Sequence, residues 1–160
     1  MSFMLQEIRS GGQTGADEGG LRAGLALGLR TGGWIPKGRR TENGAMSDAD
    51  FKMFGLEEHA FEGYPPRTED NVLETDGTVL FGDMNSPGSR LTVKYCRMNG
   101  APYICNPLQD EFVAWLDKYA IRILNVAGNR ESKSPGIMIR TKDFLVSAIE
   151  KARTELAEVG

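Results

Sequence analysis

Short apolar runs that alternate with amphipathic stretches restrict the fold of this chain more than any other feature. Residues 3–9, 31–35, 78–81, 102–105 and 121–126 read as brief strands bounded by Gly, Pro or polar residues. Between them lie helical patterns. Leu21, Leu25 and Leu29 fall on one face of a helix over 16–29, and Phe112, Trp115, Leu116 and Tyr119 follow the i, i+3, i+4, i+7 template. Leu145, Ala148, Ile149, Ala152 and Leu156 line a final helix over 136–156. Shorter helices are expected over 68–75, with Thr68 as N-cap, and over 89–98. Residues 37–66 show no clear period. Strands alternating with helices imply βαβ crossovers and an α/β fold with a mostly parallel sheet covered on both faces. Ligands of such sheets bind beyond the carboxyl ends of the strands, so the loops after the strands carry the functional question.

Composition narrows the classes. A chain of 160 residues is expected to form a single domain over 1–160, large enough to fold without staples. Cys96 and Cys105 sit in apolar surroundings and His59 is the one histidine, too few ligands for a Cys/His zinc site. No metal site is expected, and two reduced thiols suit a cytoplasmic location. Residues 1–9 lack the basic and apolar regions of a signal peptide, and no run approaches the ~20 apolar residues of a membrane span. With 19 basic against 22 acidic residues the net charge is −3, which argues against a nucleic-acid partner.

The loop Ser10-Gly11-Gly12-Gln13-Thr14-Gly15 runs from a strand straight into a helix. Its glycines free backbone N–H groups to turn toward a ligand, and the helix start adds partial positive charge, so an anion is favoured over a mere tight turn. Asp17 and Glu18 in the first helical turn complement the dipole. Lys37, Arg39 and Arg40 follow the second strand, and Arg130 and Lys133 follow the last, in a loop that also holds Gly128, Ser132 and Ser134. The fold is expected to bring these basic groups to one edge beside the Gly-rich turn, where they suit a phosphorylated or oxyanionic ligand. The loop after the third strand supplies Asp83, Ser86, Gly88 and Ser89, one serine acting as helix cap, with Thr92 following in the helix. His59 shows no evident partner, and Phe51, Phe54, Phe61 and Tyr64 could line a ligand pocket or form a subunit contact, with cover for the core as the default reading.

The segments 10–17, Gly32-Gly33-Trp34 with Pro36 to Arg40, Arg67-Thr68 with Asn71-Val72, Asp76-Gly77-Thr78, and Asn125 to Gly128 with 131–136 resemble the molybdenum carrier family over nearly the whole chain. The resemblance implies a Rossmann-like three-layer fold. It also implies a binding protein for molybdenum cofactor, molybdate or a nucleotide, self-associating as a homodimer. The wider superfamily resembles the cytokinin-activating phosphoribohydrolases, once called lysine decarboxylase-like, which carry P-G-G-x-G-T-x-x-E. Here the matching stretch is Pro87-Gly88-Ser89-Arg90-Leu91-Thr92-Val93-Lys94-Tyr95, with Leu91 in place of the second-half glycine and Tyr95 at the Glu position. A tyrosine is a poor base at neutral pH, so binding is favoured over N-glycosidic hydrolysis. A nucleotide-processing hydrolase, using Asp17, Asp83 or Glu131, and a nucleotide-sensing module stand as rivals.

Overall fold

A computed structural model describes residues 3–159, with side chains through Glu155. Five parallel strands form the main sheet: β1 (Glu7–Ser10), β2 (Arg30–Gly32), β7 (Gly77–Phe81), β8 (Tyr103–Cys105) and β9 (Ile123–Gly128), in the order β2-β1-β9-β7-β8. The register sets Ile8 beside Thr31 and Leu124, and Val79 beside Val126 and Ile104. Counting β9 as first turns this order into 3-2-1-4-5, the doubly wound arrangement. The chain therefore carries that arrangement as a circular permutation, its usual first strand coming last.

Period two divides the sheet into unlike faces. Ile8, Leu124, Val126 and Val79 point into an apolar core closed by α1 (Ala16–Ala26), α5 (Gln109–Lys118) and α6 (Ile137–Val159), including Ala23, Phe112, Leu145, Ala148 and Ile149. The opposite face carries Asn125, which donates to Thr78 Oγ1 at 3.1 Å, beneath α3 (Tyr64–Leu73) and α4 (Pro87–Met98). Leu156, expected on the α6 face, lies outside the described side chains.

Several expectations need correction. The second strand breaks at Gly33, where φ is +132° and a Cβ would lie 1.9 Å from the Ser10 carbonyl oxygen. Residues beyond the break form β3 (Trp34–Ile35), which pairs with β6 (Glu57–Glu58) in a separate two-stranded sheet. The irregular stretch 37–66 contains the hairpin β4 (Arg40–Thr41) and β5 (Gly44–Ala45) and the helix α2 (Asp48–Phe54). A second cluster of Leu21, Ile35, Phe54 and Leu56 roots this layer on α1. Helix α3 begins at Tyr64 behind Gly63, with prolines in its first turn, so Thr68 is a buried interior residue rather than a cap. Leu25 and Tyr119 are exposed and leave their expected stripes.

The true buried face of α1 is made of small residues. Gly20 faces Val126, Gly24 faces Thr31 and Ile8, and Gly19 faces the backbone of α6. That permits α1 to lie against sheet and helix at once. Alanine inside a helix ordinarily gains about 1 kcal/mol over glycine. At Gly20 the new Cβ would sit 2.6 Å from the Val126 Cβ, and overpacking of this kind costs about 1–3 kcal/mol. Gly20→Ala should therefore lower stability in urea unfolding; a rise would mean that α1 can move off the sheet.

Candidate functional site

The switch in strand order falls between β9 and β7, and the loops that leave them are locked together by one side chain. Asn129, 4% exposed, accepts from Asp83 N (2.6 Å) and Ser134 Oγ (3.0 Å) through Oδ1. Its Nδ2 donates to the Asp83 carbonyl and to Ser86 Oγ, both at 3.0 Å. Ser86 caps α4 by accepting from Ser89 N, which resolves the choice between the two serines. Ser89 is buried and its Oγ has no hydrogen-bond partner, while Thr92 donates to the Gly88 carbonyl.

The Gly-rich turn meets this pair from β1. Ala16 N donates to the Asn129 carbonyl, and Glu131 N donates to Thr14 Oγ1 at 3.3 Å. A Cβ on Gly15, at φ +82°, would lie 2.3 Å from the Asn129 carbonyl oxygen, so only glycine lets the two backbones touch. Gly12 at φ +70° rests on Leu56 and Ile35, so a valine there would strain the turn itself. Gln13 is buried. Its N–H donates to Asp17 Oδ2 (3.1 Å), its Nε2 donates to the carbonyls of Gly11 and Arg40, and its Oε1 has no partner.

Against Gly11 lies the guanidinium of Arg67, delivered by α3. A Cβ on Gly11 would fall 1.7 Å from Arg67 Nη1, so the glycine makes room for the charge. Nη1 stands 3.9 Å from Asp17 Oδ2, both side chains being largely buried, and Arg67 Nε has no partner. The guanidinium carbons of Arg67 and Arg130 lie 5.1 and 4.9 Å from the centre of the Tyr64 ring. Burial pushes the Asp17 carboxyl up to about 6, against the opposing pull of Arg67, of the Gln13 N–H and of Arg130. Burial also lowers the pKa of Arg67, an effect that Asp17 and Tyr64 partly offset.

The site differs from the sequence reading in membership. Arg67 and Arg130, set against the Tyr64 ring, form its cationic wall; pocket lining was one of the readings open for Tyr64, and Arg67 carried only a family resemblance. Arg39 is not free for a ligand: it pairs with Asp48 and with Glu58 (3.5 Å) and stacks on Phe51 at 3.9 Å. Lys37 and Arg40 are exposed and line a shallow depression with Glu58 and Glu62; only the Arg40 carbonyl reaches the Gly-rich turn. Lys133 is exposed, Ser132 and Ser134 keep their place in the loop, and Gly88 faces open space. Glu131 accepts from Gly136 N and Met138 N at the start of α6, and Asp83 from Asn85 N, so both carboxylates are committed locally. His59 does have a partner. Its Nδ1 accepts from Phe61 N, which leaves Nε2 to donate to Asp70 at 2.6 Å.

This arrangement defines a class: a permuted doubly wound domain whose glycine-bearing loops and buried arginine converge on the switch point, where such folds hold anionic ligands. The family described as the circularly permutated YpsA SLOG family matches residues 8–149, and the chain belongs to that family. A solved structure of "Putative molybdenum carrier protein" from Syntrophus aciditrophicus SB is similar at 33% identity and a TM-score of 0.80, over 89% of this chain and 93% of that one. No curated protein matches the chain. Together they support a ligand-binding role. Among the described residues no helix is long and apolar enough to cross a membrane, and no group of three or more His, Cys, Asp or Glu could hold a metal ion.

Asp17 makes stability depend on pH in a defined direction. A carboxyl at 3.8 unfolded and about 6 folded binds more protons in the folded state between those values. Its contribution is fully present below 3.8 and is lost as pH rises through 6. Wild type should therefore lose about 1–3 kcal/mol relative to Asp17→Asn between pH 4 and 7. Parallel urea midpoints across that range would refute the burial.

Proposed function

We propose that the chain is a binding protein for a phosphorylated or oxyanionic small ligand, with molybdate, molybdenum cofactor or a nucleotide as the candidate classes. The observation that carries this reading is Arg67: a largely buried guanidinium, in the hollow left by Gly11, with an unpartnered Nε beside the Gly-rich turn. Burying a cation that one carboxylate at 3.9 Å only partly compensates is costly, and an anion would complete its pairing. Arg130 adds a second guanidinium across Tyr64. The donors are N–H, hydroxyl and guanidinium groups, which suit the oxygens of molybdate and the phosphate of the cofactor alike. The name borne by the Syntrophus structure supports the molybdenum version.

A second reading, nucleotide hydrolysis, has one observation in its favour. Asp17 is the carboxylate of the site whose pKa, at about 6, suits proton transfer near neutral pH. Release of free base from nucleoside monophosphates, abolished in Asp17→Asn, would establish it. Tyr95, at the position where the phosphoribohydrolases carry Glu, lies on α4.

The binding reading is tested by calorimetric titration with nucleotides, molybdate and a pterin phosphate at low and high salt. Arg130→Ala should weaken the ligand about ten- to a hundredfold, the worth of a charge-assisted hydrogen bond of roughly 1.5–3 kcal/mol. Lys37→Ala should leave affinity unchanged, since its side chain faces the depression beside Glu58 and Glu62. Equal binding by wild type and Arg130→Ala would remove this edge as the site.

A further inference from the structure

The β4–β5 hairpin places a carboxylate among the donors of the anion loops. Glu42, at the hairpin tip, accepts from the hydroxyls of Thr14 and Ser132 and from Ser132 N at 3.2 Å. Thr14 belongs to the Gly-rich turn and Ser132 to the loop after β9, so one side chain bridges the turn after β1 and the loop after β9. The Ser132 and Thr14 hydrogen bonds hold the Glu42 carboxyl below the usual carboxylate range, and the charge of Arg130 adds to that pull. Three donors and a nearby guanidinium converging on two oxygens form an oxyanion subsite in geometry and in charge. In this structure the oxyanion it holds is the protein's own.

We infer that Glu42 is an internal stand-in for ligand, and that a tetrahedral oxyanion entering the Thr14–Ser132–Arg130 subsite displaces the β4–β5 hairpin. The inference rests on the binding reading above and adds its regulation. Two anions cannot share these donors, because each would lose hydrogen bonds and meet a like charge. The hairpin is suited to moving. It pairs only Arg40 with Ala45 and Thr41 with Gly44, its residues are exposed or half-buried, and a two-stranded ribbon of this size has little stability of its own. Its further ties, at its base, are Gln13 Nε2 to the Arg40 carbonyl and Met46 N to the Arg39 carbonyl. Closed and open hairpins then form a two-state element, and apparent affinity scales with the open fraction.

The experiment compares wild type, Glu42→Gln and Glu42→Ala in titrations with inorganic phosphate, pyrophosphate and molybdate, together with amide hydrogen exchange over residues 40–46. Removing the competing charge should tighten oxyanion binding by about tenfold in both variants, as the open fraction rises. The unliganded variants should exchange faster than wild type over 40–46, and wild type should exchange faster there once oxyanion is added. The phosphate and molybdate arms show which oxyanion the subsite prefers. Unchanged or weaker binding in both variants, or slower exchange over 40–46 on binding, overturns the inference and leaves the binding reading standing. Absence of oxyanion binding by all three proteins overturns the inference, and the binding reading then rests on the nucleotide and pterin titrations above.

Discussion

The side-chain amide of Asn129 is the interaction on which the functional edge depends. Four hydrogen bonds satisfy both its donor and acceptor sides, tying the loop after β7 to the loop after β9. Its own carbonyl receives Ala16 N, which ties in the Gly-rich turn as well. An amide can do this because it donates and accepts at once; a carboxylate of the same shape would lose the Nδ2 bonds to the Asp83 carbonyl and Ser86 Oγ. The neighbouring backbone conforms to it. Gly82 at φ +103° would otherwise set a Cβ 2.2 Å from Asn129 Oδ1, and Gly128 at φ +146° would set one 2.2 Å from the Phe81 carbonyl oxygen.

Around that fixed edge the protein concentrates charge in a partly compensated state. Arg67 and Asp17 are buried together at a separation too long for a close hydrogen bond, and the raised Asp17 pKa shows that burial outweighs the arginine's attraction. Glu42 contrasts with it, since hydroxyl and N–H donors favour its charged form. One carboxylate is thus pushed toward neutrality beneath the turn while another is kept ionised above it. Arg67 and Arg130 supply the positive groups of this site, which is the electrostatic basis of the proposed preference for anions.

Permutation separates the two halves of the site along the chain. The turn after β1 and the loop after β9 touch through Thr14 and Glu131, although their residues stand 117 apart. Closure comes from α6, which returns along α1 and lets the last strand lie beside the first. The 33–63 layer is a separate addition, anchored by Ile35, Phe54 and Leu56 on Leu21 and ending at Gly63, behind which α3 begins and brings Tyr64 and Arg67 inward.

The sequence by itself determined the elements whose signals are local. Apolar runs marked the strands, the 3.6-residue period marked α5 and α6, and Ser10 to Gly15 marked the turn from strand into helix, because backbone propensity and turn chemistry act over a few residues. The meeting of the turn with the loop at 128–136 followed from the parallel-sheet rule alone. Only the tertiary structure decided which charges face the site. Lys37, Arg39 and Arg40 looked equivalent to Arg130 as a basic loop, but Arg39 is neutralised by Asp48 and Glu58, while Lys37 and Arg40 line a depression with Glu58 and Glu62. Arg67 gave no local signal, since its role depends on a hollow at Gly11 in another part of the chain. Glu42 was equally silent: its partners Thr14 and Ser132 lie 28 and 90 residues away, and hydrogen bonds over such separations are set by packing, which no local pattern encodes.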